Sequence, residues 1–246
     1  MNDHRIVPAG ITVMTYNLGD GLAPPGRLIA MLRKHGPALV GLQEVDSPTG
    51  DALPDSVDVL AHQVIHPLGI PGKALLSRFP ILSSRLLESD PTRPDLVASV
   101  DVGGIEVTVI VAHPPPPYLK RTGLVTREGT AAQIADLLDV VRGTSQPLLL
   151  LGDFNAVARN IIPRQFAAAG LIDVAKQNGR PLATYPTRLT TTGDGGGRLR
   201  RLPVRPVLRL DYIWASRHWR VLSTELGLDA GSDHLPVLAT LALEDI

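Results

Sequence analysis

An α/β fold in one domain is what this sequence predicts, and three observations carry that expectation. Runs of β-branched and aliphatic residues recur along the chain, and many end in a polar residue. Between them lie stretches with apolar residues at helical spacing, at 27–35, 126–141 and 162–170. The chain has 246 residues, 44% hydrophobic and 20% charged, which is enough for a buried core. The candidate linker at 196–206 is too short to divide two domains, so 1–246 reads as one unit.

The first strand is expected at 11–16, ending at Asn17 before a Leu18-Gly19-Asp20-Gly21 turn. A short helix follows at 27–35 and is stopped by Gly36-Pro37. The next strand, 38–44, is apolar until Gln43 and Glu44 at its tip. Residues 46–60 read as loop with a short helix, and 73–81 as one strand ending in a turn at Pro80. Two strand runs, 96–102 and 105–111, are joined by Gly103-Gly104, a hairpin signal. The second leads into His113 and four prolines, 114–117, which cannot continue a ladder and which stiffen the exit. The stretch at 126–141 is an amphipathic helix with Ile134, Leu137, Leu138 and Val141 on one face.

Leu148-Leu149-Leu150-Leu151 then reads as a strand buried on both faces. Gly152-Asp153-Phe154-Asn155 follows. In an extended chain Asp153 and Asn155 project to the same side, toward a common point. The same residues also suit a strand closed by an Asx turn, and the segment alone does not choose between the two. Beyond the helix at 162–170, the Thr/Gly-rich segment 190–197 reads as a mobile loop. Residues 198–209 carry the chain's one basic cluster, including Arg200 and Arg201, either a solvated hairpin face or a track for a phosphate-bearing substrate. Strands at 210–215, 219–226 and 235–241 close the chain, with Ser232-Asp233-His234 before the last.

Composition limits the chemistry. There is no cysteine, so thiolate metal sites and disulfides are excluded, and any metal must sit on carboxylate, amide or imidazole groups. Such donors suit hard ions, Mg²⁺ or Mn²⁺. The formal net charge is zero, unlike that of a dedicated nonspecific nucleic-acid binder. No apolar run is long enough to span a membrane and the start does not read as a signal peptide, so a cytoplasmic, monomeric protein is expected.

Asn17, Glu44, His113, Asp153, Asn155, Asp211, Asp233 and His234 each end or interrupt a strand-like run. Strand ends that carry such residues together suggest convergence on one rim, where sites gather. The motifs Thr15-Tyr16-Asn17, Gln43-Glu44-Val45, Ala112-His113-Pro114, Gly152-Asp153-Phe154-Asn155, Leu210-Asp211-Tyr212-Ile213 and Ser232-Asp233-His234-Leu235-Pro236 occur in this order. In that ordered set the chain resembles the endonuclease/exonuclease/phosphatase superfamily of deoxyribonuclease I-like phosphoesterases. The resemblance implies a four-layer α/β/β/α sandwich, two mixed β-sheets packed face to face with helices outside.

It also implies hydrolysis of a phosphodiester, in preference to a monoester, by activated water with a divalent metal. Glu44 is the expected primary metal ligand, with Asn17 and Asp233. Asp153 would activate the water, and Asn155, His113 and His234 would hold the phosphate. Asp211 would hold His234. The acidic residue that some members carry two places after the first Asn is Gly19 here, with Asp20 one place later. Nucleic acid, nucleotide and lipid headgroup all remain open as substrates, with Arg200 and Arg201 as candidate substrate contacts. A non-catalytic phosphate-binding module on the same fold is the rival from another class.

Overall fold

The computed structural model describes residues 9–87, 90, 92–120, 123–125, 127, 129–179, 182–192 and 199–244. In chain order its elements begin with β1 (Ile11–Asn17), α1 (Pro25–His35), β2 (Leu39–Gln43), α2 (Ser47–Ala52), β3 (His62–His66), β4 (Lys73–Ser77) and β5 (Ile81–Leu87). Next come β6 (Asp95–Asp101), β7 (Glu106–Ala112), β8 (Tyr118–Lys120), β9 (Gly123–Val125), α3 (Thr130–Gly143), β10 (Leu148–Asp153) and α4 (Ile161–Ala168). The rest are β11 (Ile172–Asp173), α5 (Val174–Gln177), β12 (Arg188–Thr192), β13 (Leu199–Pro203), β14 (Asp211–Ala215), β15 (Trp219–Leu226) and β16 (Val237–Leu243).

Two mixed six-stranded sheets form the centre, ordered β15-β16-β1-β2-β4-β3 and β11-β14-β10-β7-β6-β5. The period-two alternation of each strand gives it two apolar faces, and each face has its own core. Val13, Leu39, Leu75, Val109, Leu149, Leu151 and Ile213 meet between the sheets. On the outer side of the first sheet, Met14, Val40 and Leu42 pack with Leu28 and Leu32 of α1. On the outer side of the second, Ile110, Leu148, Leu150 and Trp214 pack with Leu137 of α3 and Phe166 of α4. The result is the four-layer α/β/β/α sandwich, and β10 lies buried on both faces at its centre. Truncating Leu151 to Ala would cost about 2–5 kcal/mol, the usual range for a fully buried leucine.

Close approach of the two sheets depends on Gly41: a Cβ there would lie 3.0 Å from Leu151 Cδ1 and 3.1 Å from Val111 Cγ2. At Gly152 a Cβ would lie 2.1 Å from the Ala112 carbonyl oxygen, so glycine interrupts the leucine run without ending the strand.

Two expectations fail. Residues 73–81 are not one strand: β4 belongs to the first sheet and β5 to the second. The Ser77 hydroxyl donates to the Phe79 carbonyl at 2.7 Å and accepts from the Phe79 amide at 2.9 Å, closing a turn, and Pro80 has no N–H to carry a ladder onward. Nor is the start of the expected loop at 190–197 a loop. Thr190 to Thr192 belong to β12 and pair with β13 in a hairpin, because β-branched threonines suit a pleat. The remainder of that segment, 193–197, lies outside the described residues. Among the described residues no helix is long and apolar enough to cross a membrane.

Candidate active site

The rows of inward residues that build the inter-sheet core end in polar groups at one rim. On β1 the inward Val13 is followed two and four residues later by Thr15 and Asn17. On β10 the row is Leu149, Leu151, Asp153, and past β7 it is Val109, Val111, His113. β14 pairs antiparallel with β10 and sets Asp211 opposite Asp153. The sequence thus spends the last inward position of each strand on a polar side chain, at the open end of an apolar stem.

Glu44 and Asn155 reach the rim by another route. Both have left-handed backbones, φ 55° and 48°, which is uncommon outside glycine and redirects the side chain after the strand ends. Alternation along an extended chain therefore does not place Asn155 beside Asp153. Asn155 donates its backbone N–H to Asp153 Oδ1 at 2.8 Å, an Asx turn, and its Nδ2 donates to the Pro114 carbonyl at 3.0 Å. The turn reading and the site reading of this segment hold together. Phe154 anchors the turn on the outer side, edge to face with Phe166 at 5.2 Å.

Asp153 is the hub. Its Oδ2 accepts from Asn17 Nδ2 at 2.9 Å and faces His113 Nε2 at 3.6 Å and His234 Nε2 at 3.7 Å. Asn17 Nδ2 also donates to Glu44 Oε1 at 3.3 Å, and the same Glu44 oxygen is 3.6 Å from His113 Nε2. Behind His234, Nδ1 bonds Asp211 Oδ2 at 2.8 Å, while Asp211 Oδ1 is buried with no hydrogen-bond partner among the described residues. The Ser232 hydroxyl donates to the Asn17 carbonyl at 2.7 Å and so pins the Ser232-Asp233-His234 segment to the end of β1. These groups enclose a cavity of about 330 Å³ lined by Asn17, Glu44, His113, Asp153, Asn155, Asp233 and His234, with Arg93 and Tyr185 added.

Burial sets the charges. It pushes the Asp153 carboxyl up to about 7, helped by Asp211 and opposed by His234. Burial also raises Glu44, with the Asn17 bond opposing. On His234 burial pulls the imidazole down, but the carboxylates of Asp211 and Asp153 outweigh it and hold the ring at about 10. On His113 burial acts with the positive charges of Lys73 and Arg93, and the ring falls well below its ordinary value. At neutral pH the rim therefore holds one charged imidazole and one neutral one.

A divalent cation fits this donor set. Glu44, Asp153 and Asp233 offer carboxylate oxygens of the kind hard ions take, and among the described residues none forms an ion pair with a lysine or arginine. Asp153, Asp211 and His234 also offer ligand atoms within 4.8 Å of one another. Within that group Asp211 Oδ2 and His234 Nδ1 already bond each other, so an ion held there would compete with that bond.

The endonuclease/exonuclease/phosphatase family model matches residues 14–234, nearly the whole chain. The chain belongs to this family. Its members are metal-dependent hydrolases of phosphoester bonds. Nocturnin of Xenopus laevis is 30% identical over 119 residues, a match that covers 43% of this chain and only 28% of that protein. Among solved structures, an endonuclease/exonuclease/phosphatase from Bacteroides vulgatus superposes with a TM-score of 0.74 at 17% identity, covering 96% of this chain and 99% of that one. The human Nocturnin catalytic domain with bound sulfate gives a TM-score of 0.66 at 20% identity, covering 98% of this chain and 96% of that one. At such identities these structures show the shared fold.

Within the family frame the cavity brings together Asn17, Glu44, His113, Asp153, Asn155, Asp233 and His234, with Asp211 directly behind. Gly19 stands where some members carry an acidic residue, and the reason is spatial: its φ is 69° and a Cβ would lie 2.9 Å from Asp233 Oδ1. Asp20 is exposed and packs toward Gly69, away from the cavity lining. Arg200 and Arg201 lie on β13, and Arg201 is exposed and outside the cavity lining.

Two cavity residues escape sequence reasoning. Arg93 sits in the connection before β6, and its Nη1 stands 3.3 Å from His113 Nδ1 and 3.2 Å from Nε2. A lone arginine between prolines carries no local signal. Tyr185 packs its ring 4.7 Å from the His234 ring at 42°. Thr184-Tyr185-Pro186-Thr187 is visible in the sequence, but nothing in it points to a histidine 49 residues on.

Proposed function

We propose that this chain is a divalent-metal-dependent phosphodiesterase in which Asp153 activates water. The observation that carries the reading is the convergence of Asn17, His113 and His234 on one buried oxygen, Asp153 Oδ2. A carboxyl raised to about 7 is poised to take a proton near neutral pH. Glu44, Asn17 and Asp233 would hold Mg²⁺ or Mn²⁺, and the bound ion supplies positive charge to the phosphate oxygens.

The chain's own groups do the rest. Asp153 accepts the proton of a water that attacks phosphorus while the bond from phosphorus to the leaving oxygen breaks, and that oxygen departs with the bonding pair and takes a proton from solvent. His234, charged and held by Asp211, donates from Nε2 to a phosphate oxygen as negative charge builds. His113 and the Asn155 amide hold the same group, and Arg93 adds a charged fork suited to phosphate. A site that orders a water-activating carboxylate beside charged donors supports turnover over a binding module.

The test is hydrolysis of bis-p-nitrophenyl phosphate and p-nitrophenyl phosphate with Mg²⁺, with Mn²⁺ and with EDTA. Diester turnover that needs metal and is lost in Asp153→Asn is the expected result. Activity indifferent to EDTA or to Asp153→Asn would sink the mechanism. A nucleic-acid substrate is the second reading, supported by Arg201 and Arg205, which stand exposed on and just after β13. Replacing Arg200 and Arg201 with Ser should then weaken plasmid cleavage and flatten its salt dependence.

A further inference from the structure

Behind His113 lies a second polar cluster that the reaction does not touch. Asp95, at the start of β6, is 1% exposed, as is Lys73, which opens β4 of the other sheet. Asp95 Oδ1 accepts the His113 backbone N–H at 3.0 Å and lies 4.0 Å from Lys73 Nζ. Asp95 Oδ2 accepts from Gln133 Nε2 of α3 at 2.8 Å, and the same Nε2 donates to the Arg93 carbonyl at 3.1 Å. Lys73 Nζ also donates to the Pro71 carbonyl at 3.2 Å.

We propose that Asp95 is a positioning residue which, with Gln133 and Lys73, fixes His113 and Arg93 against the Asp153 carboxylate. A buried ion pair is a weak source of stability, since desolvation offsets most of its attraction. What it offers is direction. One carboxylate takes up the amide of His113, where the chain leaves β7 for the prolines and the ladder no longer holds it. One glutamine ties that carboxylate to the backbone of Arg93, whose guanidinium rests on the His113 ring. The site draws Asn17 and Glu44 from the first sheet and His113 and Asp153 from the second, so its geometry depends on how the sheets meet at the rim. Lys73 and Asp95 form an ion pair behind the cavity that crosses between them. A misplacement of about 1 Å at such a rim can cost about 100-fold in rate.

The activity arm rests on the phosphodiesterase reading; a second arm does not. On bis-p-nitrophenyl phosphate, Asp95→Ala should lower kcat by about 10- to 100-fold with KM within about twofold. Asp95→Asn, which keeps an acceptor oxygen for the His113 amide, should recover most of that loss. In an Arg93→Ala, His113→Ala background, Asp95→Ala should change kcat by less than about twofold, because both side chains that it positions are gone. A full additive loss in that background overturns the proposal, as does an Asp95→Asn no better than Asp95→Ala. Should Asp95→Ala fail to fold, Gln133→Met enters the same cycle with the same two outcomes. Independently of substrate, exchange of the His113 amide should quicken about 10-fold or more in the Asp95 or Gln133 variant. An unchanged exchange rate overturns the proposal. Quickened exchange in a protein that hydrolyses no diester leaves the positioning role standing and removes the phosphodiesterase reading.

Discussion

His113 and His234 face the same carboxylate oxygen at nearly equal distance, 3.6 and 3.7 Å, yet one is held neutral and the other charged. His234 is backed by the Asp211 carboxylate at 2.8 Å and is held charged up to about 10. His113 has Arg93 against its ring and Lys73 behind, and burial together with those charges keeps it neutral. Both rings are buried, so burial alone does not separate them. The sign of the nearest partner does. One side of the rim can therefore donate a charged hydrogen bond to a phosphate, while the other offers a neutral ring flanked by a guanidinium.

The severest way to break this contrast is to remove the group that creates it. Asp211→Ala should lower kcat by about 10²–10³, the range for losing one preorganised charged donor. It also leaves His234 buried without its counter-charge, which should cost the fold about 3–5 kcal/mol. Asp211→Asn keeps the shape and should show the kinetic loss with the smaller unfolding shift. A variant near wild-type rate would mean that the His234 charge plays no part.

The pH profile separates the rings next. Activity should fall on the acid side as Asp153 takes up its proton, with a midpoint at or below about 7, since a bound cation favours the carboxylate. On the alkaline side it should fall as His234 loses its proton near 10. His234→Gln should abolish the alkaline limb and leave the acid one. An alkaline limb that persists in His234→Gln would assign it elsewhere.

A smaller effect is expected at His113. His113→Asn keeps a neutral hydrogen-bonding group, so kcat should drop only about 10-fold with both pH limbs unmoved. A loss as large as that of His234→Gln would make the two rings equivalent and end the comparison.

How much of this was legible before the fold was seen varies with the physics of each position. The inward row Leu149, Leu151, Asp153 obeys the period of a strand, and so do Val109, Val111, His113; both the buried stem and its polar end can be read from spacing. Asp211 stands beside Asp153 through strand pairing, which an apolar pattern suggests without fixing register. Glu44 and Asn155 are recognisable by motif, but their aim comes from left-handed backbones that leave no periodic mark. Arg93 is placed by a contact from Gln133, 40 residues away, and no local rule reaches that far. β5 was missed because an edge strand with Leu82, Ser83, Ser84 and Arg85 exposed has no alternation to display.

The smallest effect is thermodynamic, and it tests the charge of His234 without any substrate. Its folded value, about 10, lies above the ordinary 6.5 of a free imidazole. The folded state therefore binds that proton more tightly than the unfolded chain does. The stability this gives is fully present below pH 6.5, declines above it, and is lost as pH rises through about 10. Wild type and His234→Gln should then differ in the slope of Tm against pH between 7 and 10, by a few degrees for a chain of this size. Above pH 10 the two slopes should converge. His113→Asn should show no such difference over that interval, because a ring held neutral in the fold at pH 7 has no proton left to lose. Parallel curves for wild type and His234→Gln would show that Asp211 does not hold His234 charged, and the contrast between the two rings would then have to come from geometry alone.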